Sequence, residues 1–195
     1  TVGEYIMPNI IDGLLSDESN TVIKMKVANT KELLNYINEG AIDFALVEGY
    51  FNKLEYDFLH YCQERYVCVA SSDFKLDHVD DISDLFKYNL IIREVGSGSR
   101  EIIERYLGDR NLNVNDFTNL IEISNINTIK QLVKNNHGIS FMYKIAVEKE
   151  LNSGLLKEID IAGLSIEHDI NFVWRKNSVF IDYYQQLFKL FFEYR

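Results

Sequence analysis

The stretch IIREVGSGSREIIERYLG, residues 91–108, decides the reading of the fold. A short apolar strand-like run ends at Ile92, and a loop of small residues, Gly96-Ser97-Gly98-Ser99, leads into a segment with helical spacing. Glycines let the backbone turn tightly and bare its N–H groups. Serine hydroxyls add donors, and a helix N-terminus contributes partial positive charge. Strand, GSGS loop and helix together make an anion pocket. The loop is not a P-loop, because GxxxxGK[ST] is absent. It is not a dinucleotide fingerprint either, because Glu101 stands where the third glycine of G-x-G-x-x-G belongs. The competing explanation is that Ser97 or Ser99 only caps a helix.

Outward from this stretch, strand-like and helix-like segments alternate. Toward the N-terminus, residues 1–17 read as one helix with apolar residues at Ile6, Ile10, Ile11, Leu14 and Leu15, and TVIKMKVA (21–28) reads as a strand. Residues 29–40 read as a helix with Thr30 as candidate N-cap and Gly40 as its stop. AIDFALVEG (41–49) reads as a buried strand; YDFLHYC (56–62) and YVCVAS (66–71) read as two strands with a turn near Gln63-Glu64. Toward the C-terminus, NLIEIS (119–124), ISFMY (139–143), LLKEIDI (155–161) and HDINFVWR (168–175) are strands. Helices closed by Gly138 and Gly154 lie between them, and residues 178–195 form a final amphipathic helix with an aromatic stripe. Such alternation predicts an α/β protein with mostly parallel sheets covered by helices. The polar stretch at 71–81 is the candidate domain boundary, joined by strands rather than by a flexible linker.

The charge excludes some functions. Twenty Lys+Arg face 30 Asp+Glu in 195 residues, a formal charge of −10. A chain that grips nucleic acid alone carries a basic excess to neutralise phosphates, and an anionic membrane surface repels this one. No apolar run approaches the roughly 18 residues of a membrane span. Residues 1–20 carry Glu4, Asp12, Asp17 and Glu18 and no basic region of a signal peptide, although a mature exported protein would already have lost one. Cys62 and Cys68 read as buried apolar thiols rather than a redox pair.

Catalytic patterns are weak. His60, His78, His137 and His168 show no metal-ligand spacing, and no G-x-S-x-G elbow is present. Glu48 and Glu94 follow strands and could face a cleft, although a solvated surface position is the commoner fate of such carboxylates. Three further helix starts, Thr1-Val2-Gly3, Asn29-Thr30 and Ser124-Asn125, share the small-polar character of Ser97–Ser99. In an α/β sheet, helix starts follow strand C-termini and collect on one edge.

Taken in order, TVGEYIMPNIIDGLL, VANTKELLNYINEGAIDFALVEG, IIREVGSGSRE, NTIKQLVKNNHGISFM and AVEKELNSGLL resemble the effector-binding (substrate-binding) domain of LysR-type transcriptional regulators. The combination of GEYIMP, the GAIDFALVEG segment, GSGSR and GISF in this order is specific, and GEYIMP is similar to regulators of sulfur-related metabolism. The resemblance implies an α/β type 2 periplasmic-binding-protein-like fold: two subdomains, 1–70 plus 172–195 and 71–171, with a cleft between them. Hinge strands near 66–70 and 170–174 would join the two.

It implies effector-binding residues Thr1, Asn29, Thr30, Glu48, Gly49, Ser97, Gly98, Ser99, Asn127 and Thr128. It implies no catalytic residue, metal or cofactor, and a small effector, an anion, as ligand. It also implies a cytoplasmic homodimer or homotetramer that reaches DNA only through a separate N-terminal winged helix-turn-helix domain absent from these residues. The family normally carries a strand directly before the T-x-G-E-Y segment, and that strand is absent here too. Two other functions remain open on this fold: an extracytoplasmic solute-binding protein of a transporter, and an enzyme such as a deaminase or dehydratase.

Overall fold

The computed structural model describes residues 1–16, 22–76 and 78–194. Thr21 of the first expected strand and Asp77 of the expected boundary lie outside them. The chain divides into two compact units: unit 1, Thr1–Gln63 with Asp169–Arg195, and unit 2, Glu64–His168. Against the expected boundaries after residue 70 and before residue 172, these divisions fall earlier on the same two strands, after Gln63 and before Asp169.

In unit 1 the first helical stretch is two segments, α1 (Val2–Tyr5) and α2 (Met7–Ser16), not one helix. Pro8 supplies no N–H, which is harmless in a helix's first turn but would break a ladder inside a continuous helix. Helix α3 (Thr30–Asn38) ends at Gly40, whose φ of +67° is the left-handed stop its sequence predicts. A short turn then feeds β1 (Phe44–Val47). Residues 22–29 run without strand pairing, contrary to the expected strand, and leave Val22, Ile23, Met25 and Val27 exposed. Alternation marks a segment with two faces, but a strand also needs a neighbour's N–H and C=O groups.

Strand β2 (Tyr56–Ser71) is one continuous strand of 16 residues, where the sequence suggests two strands and a turn. It runs from unit 1 into unit 2. Gln63 and Glu64 are polar because they sit on exposed and half-exposed pleat positions, not because the chain reverses there. Unit 2 continues with β3 (Asn89–Ile92), α4 (Gly98–Gly108), β4 (Asn119–Glu122), α5 (Ile126–Lys134), β5 (Ser140–Tyr143), α6 (Glu148–Asn152) and β6 (Leu156–Ile159). The expected helix at 144–154 is a 3-10 turn, Lys144–Ala146, followed by the short α6. Strand β7 (Ile166–Arg175) returns to unit 1, and α7 (Ile181–Glu193) closes the chain.

Pairing departs from the mostly parallel expectation. β1 pairs antiparallel with β7, and β2 pairs antiparallel with both β5 and β6. Parallel pairing joins β3 to β4 and, at a single bridge, Leu90 to Ile139. A strand that passes between units and returns meets its neighbours in the opposite sense, which a segment-by-segment reading cannot show.

The pleat sorts the core residues of β2. Tyr66, Cys68 and Ala70 face one apolar cluster with Leu90, Ile92, Ile103 and Phe141. Val67 and Val69 face another with Ile91, Ile129, Val133 and Met142. In unit 1, Phe44 stacks on Phe172 at 4.6 Å, and Phe188 and Phe191 pack edge-on against Phe172. Tyr184, Phe188 and Phe191 of the predicted aromatic stripe do turn inward. Phe180 precedes the helix and, like Tyr183, is exposed.

Candidate functional site

The loop between β3 and α4 is built as an N-terminus left open. Ser97 is the N-cap of α4, yet its side chain makes no capping bond. Its hydroxyl instead lies 3.0 Å from the Ser99 hydroxyl, both buried. The first N–H groups of a helix have no acceptor inside the helix. With the cap hydroxyl engaged sideways, it does not satisfy the first-turn N–H groups of Gly98, Ser99 and Arg100, which carry the helix's partial positive charge. Gly96, at φ +92°, makes the turn that a side chain would oppose.

Arg100 holds this turn in place. Its Nε lies 2.7 Å from Glu104 Oε1. Its Nη1 lies 3.1 Å from the Arg93 carbonyl and 2.5 Å from Glu122 Oε2. One guanidinium therefore ties the first turn of α4 to the ends of β3 and β4. Burial works against its charge, but the Glu104 and Glu122 carboxylates outweigh that and raise it above the ordinary arginine value. A cation in a helix's first turn opposes the dipole, and this was the available signal that Arg100 needs acceptors nearby. Tyr66 is a second residue that the sequence reading missed, and nothing in the sequence signals it. Its hydroxyl lies 2.6 Å from the Ser99 carbonyl and 3.0 Å from the Phe141 carbonyl.

Because β3 and β4 are parallel, α4 and α5 start at the same edge of unit 2. Asn125 caps α5, accepting from the Thr128 N–H at 2.9 Å, and the Thr128 hydroxyl also bonds to it. Asn127 and Thr128 are exposed on that first turn. Glu94, one of the two carboxylates that could have faced a cleft, accepts two hydrogen bonds from Arg93.

In unit 1, Asn29 rather than Thr30 caps α3, accepting from the Glu32 N–H at 3.0 Å. Thr30 is the first helical residue. Its hydroxyl and that of Thr1 are buried and make no hydrogen bond among the described residues. Glu48 directly follows β1 and is buried, with Thr1 N 3.5 Å from its Oε2, and Gly49 adjoins it. Gly3 packs so closely on Val27 that an added Cβ would lie 2.7 Å from it. This brings the start of α1 beside the segment that leads to Asn29 and Thr30. Thr1 thus lies beside Glu48 in unit 1, and the starts of α4 and α5 share one edge of unit 2.

Cys62 and Cys68 are buried and form no disulfide, and burial pushes the Cys68 thiol well above its ordinary value. Among the described residues, no His, Cys, Asp and Glu cluster is arranged to hold a metal ion, and no helix is long and apolar enough to cross a membrane. A cavity of about 60 Å³ in unit 2, lined by Arg65, Cys68, Glu158, Asp160 and Leu164, shares none of the predicted site residues.

The model of the LysR substrate binding domain matches residues 1–192. The chain belongs to the LysR substrate-binding domain family. Among its relatives are an uncharacterised helix-turn-helix transcriptional regulator of Methanocaldococcus jannaschii, 25% identical over 85% of this chain and 56% of the relative, and the regulator CbbR of Rhodospirillum rubrum, 27% identical over 91% and 58%. The regulator CysL of Bacillus subtilis is 24% identical over 89% and 58%. The chain therefore spans little more than half the length of these relatives. Two solved LysR-type domains show the same α/β, periplasmic-binding-protein-like fold. The regulatory domain of CcmR from Synechocystis, in complex with 2-PG, superposes with a TM-score of 0.80 at 20% identity, covering 97% of this chain and 94% of that one. The effector-binding domain of QuiR, in complex with shikimate, superposes with 0.79 at 22% identity, covering 100% and 92%.

Proposed function

We propose that this LysR-type domain senses a small anionic effector held between its two units and so controls DNA binding by a full-length cytoplasmic regulator. One observation carries the reading: Ser97 and Ser99 bond to each other and leave the start of α4 uncapped. An anion there meets backbone N–H groups and hydroxyls without a nearby ion pair having to open. Thr1, Asn29, Thr30, Glu48 and Gly49 of unit 1, and Asn127 and Thr128 of unit 2, are the further effector contacts in this reading. The solved relatives named above carry small acidic ligands, 2-PG and shikimate, which agrees with this ligand class. The chain does not turn over its ligand in this reading. DNA contact falls to a separate helix-turn-helix domain, in keeping with the charge of −10.

Titration calorimetry with sulfate, other sulfur oxyanions and small carboxylates is the test. At least one binds, and Ser99→Ala weakens it by about 1–3 kcal/mol as a hydrogen bond to a charged group is lost. An affinity indifferent to substitution of both Ser97 and Ser99 moves the pocket elsewhere.

A further inference from the structure

We infer that Tyr66 is a positioning residue through which the state of the Ser97–Ser99 loop reaches β2, the strand that runs from unit 1 into unit 2. The inference rests on that loop being an effector contact.

Tyr66 is buried on β2, close to where the chain passes between units, and its ring packs edge-on against Tyr143 at 5.4 Å. A phenol carries one proton. Two carbonyls compete for it: Ser99 at 2.6 Å, in the first turn of α4, and Phe141 at 3.0 Å, on β5. The proton is thus shared between the effector loop and the strand paired beside β2, where Tyr66 stands opposite Tyr143.

The Ser99 carbonyl and the Arg100 N–H belong to the same peptide plane. An anion that accepts from the Arg100 N–H polarises that plane and makes the Ser99 carbonyl a stronger acceptor, because linked hydrogen bonds reinforce one another. The Tyr66 proton then moves toward Ser99 and away from Phe141. Arg100 keeps the loop from following the ligand outward, since its guanidinium ties the turn to the ends of β3 and β4. The change is therefore taken up at Tyr66. Occupancy of the loop becomes a change in how firmly β2 is bound to β5 on one side and to α4 on the other.

The test uses this chain with inorganic sulfate as the probe. It reads hydrogen exchange together with the NMR signal of tyrosine labelled with ¹³C at Cζ. Sulfate is expected to slow exchange at residues 98–101, to quicken it at 64–68 where the hold on β5 weakens, and to shift the Tyr66 Cζ signal. Tyr66→Phe keeps the ring and removes the proton. Protection at 98–101 should then persist, with sulfate affinity changed by no more than about tenfold, while the response at 64–68 is lost.

A Tyr66 signal that stays still while the loop amides are protected overturns the inference, as does a response at 64–68 that survives Tyr66→Phe. Loop amides that ignore sulfate, or respond equally after Ser97→Ala and Ser99→Ala, overturn the site itself and the inference with it.

Discussion

At the scale of single residues, Arg100 has the clearest energetic role. Its side chain is 8% exposed, whereas those of Glu104 and Glu122 are 40% and 49% exposed. Arg100→Met removes three polar contacts from a buried guanidinium, yet both carboxylates can return to water. The loss in stability is therefore expected at about 1–3 kcal/mol rather than the full cost of stranding a buried charge. Arg100→Lys keeps the charge but not the planar fork, and should recover only part of it. Urea unfolding of the three proteins gives the ranking, and a Lys variant as stable as the parent would show that charge alone is enough. The serine loop was legible in the sequence because its chemistry is local: small residues, hydroxyls and a following helix. Tyr66 was not legible, because its two partners are 33 and 75 residues away along the chain.

Among the elements, two glycines that look alike in sequence turn out to differ. Gly154, like Gly40, has a left-handed φ and stops its helix as expected. Gly138 does not close α5. That helix ends at Lys134, and Asn136 takes the positive φ of 66°. Gly138 is needed for a close approach, because a Cβ there would lie 2.5 Å from the Asn89 carbonyl oxygen of β3. Gly138→Ala must push β3 from the segment that bridges Leu90 to Ile139, and is expected to cost about 2–3 kcal/mol. Gly108→Ala, at the end of α4 with open space around its Cβ, should be neutral or slightly stabilising. Thermal unfolding of the two variants separates the cases, and equal effects would refute the close-approach account.

At the scale of the whole molecule, the family resemblance leads to self-association. We predict a twofold arrangement that sets the first helical region of one copy against the helix around residues 125–136 of another, in antiparallel fashion. The apolar stripe expected to form that surface is largely used inside unit 1. Ile6 and Ile10 are buried, Ile11 and Leu14 are half-buried, and Leu15 is 65% exposed. Leu15 is therefore the residue on which the contact would depend. Sedimentation at micromolar concentration is expected to show a dimer that Leu15→Glu converts to monomer. A monomeric parent, or a dimer indifferent to the charge, removes this surface from consideration.

The sequence alone determined the α/β class, the order of the main elements from α3 onward, the helix stops at Gly40 and Gly154, and the small, hydroxyl-bearing turn at residues 96–99 that leads into α4. Each follows from local periodicity or from the chemistry of a few adjacent residues. Only the tertiary structure decided that β2 is one strand, that its pairing is antiparallel, that residues 22–29 form no strand, and that Arg100 and Tyr66 hold the loop. These depend on which distant segment supplies a hydrogen-bonding neighbour. Strand pairing and buried polar contacts draw their energy from groups far apart in the chain, so they become visible only once packing has brought those groups together.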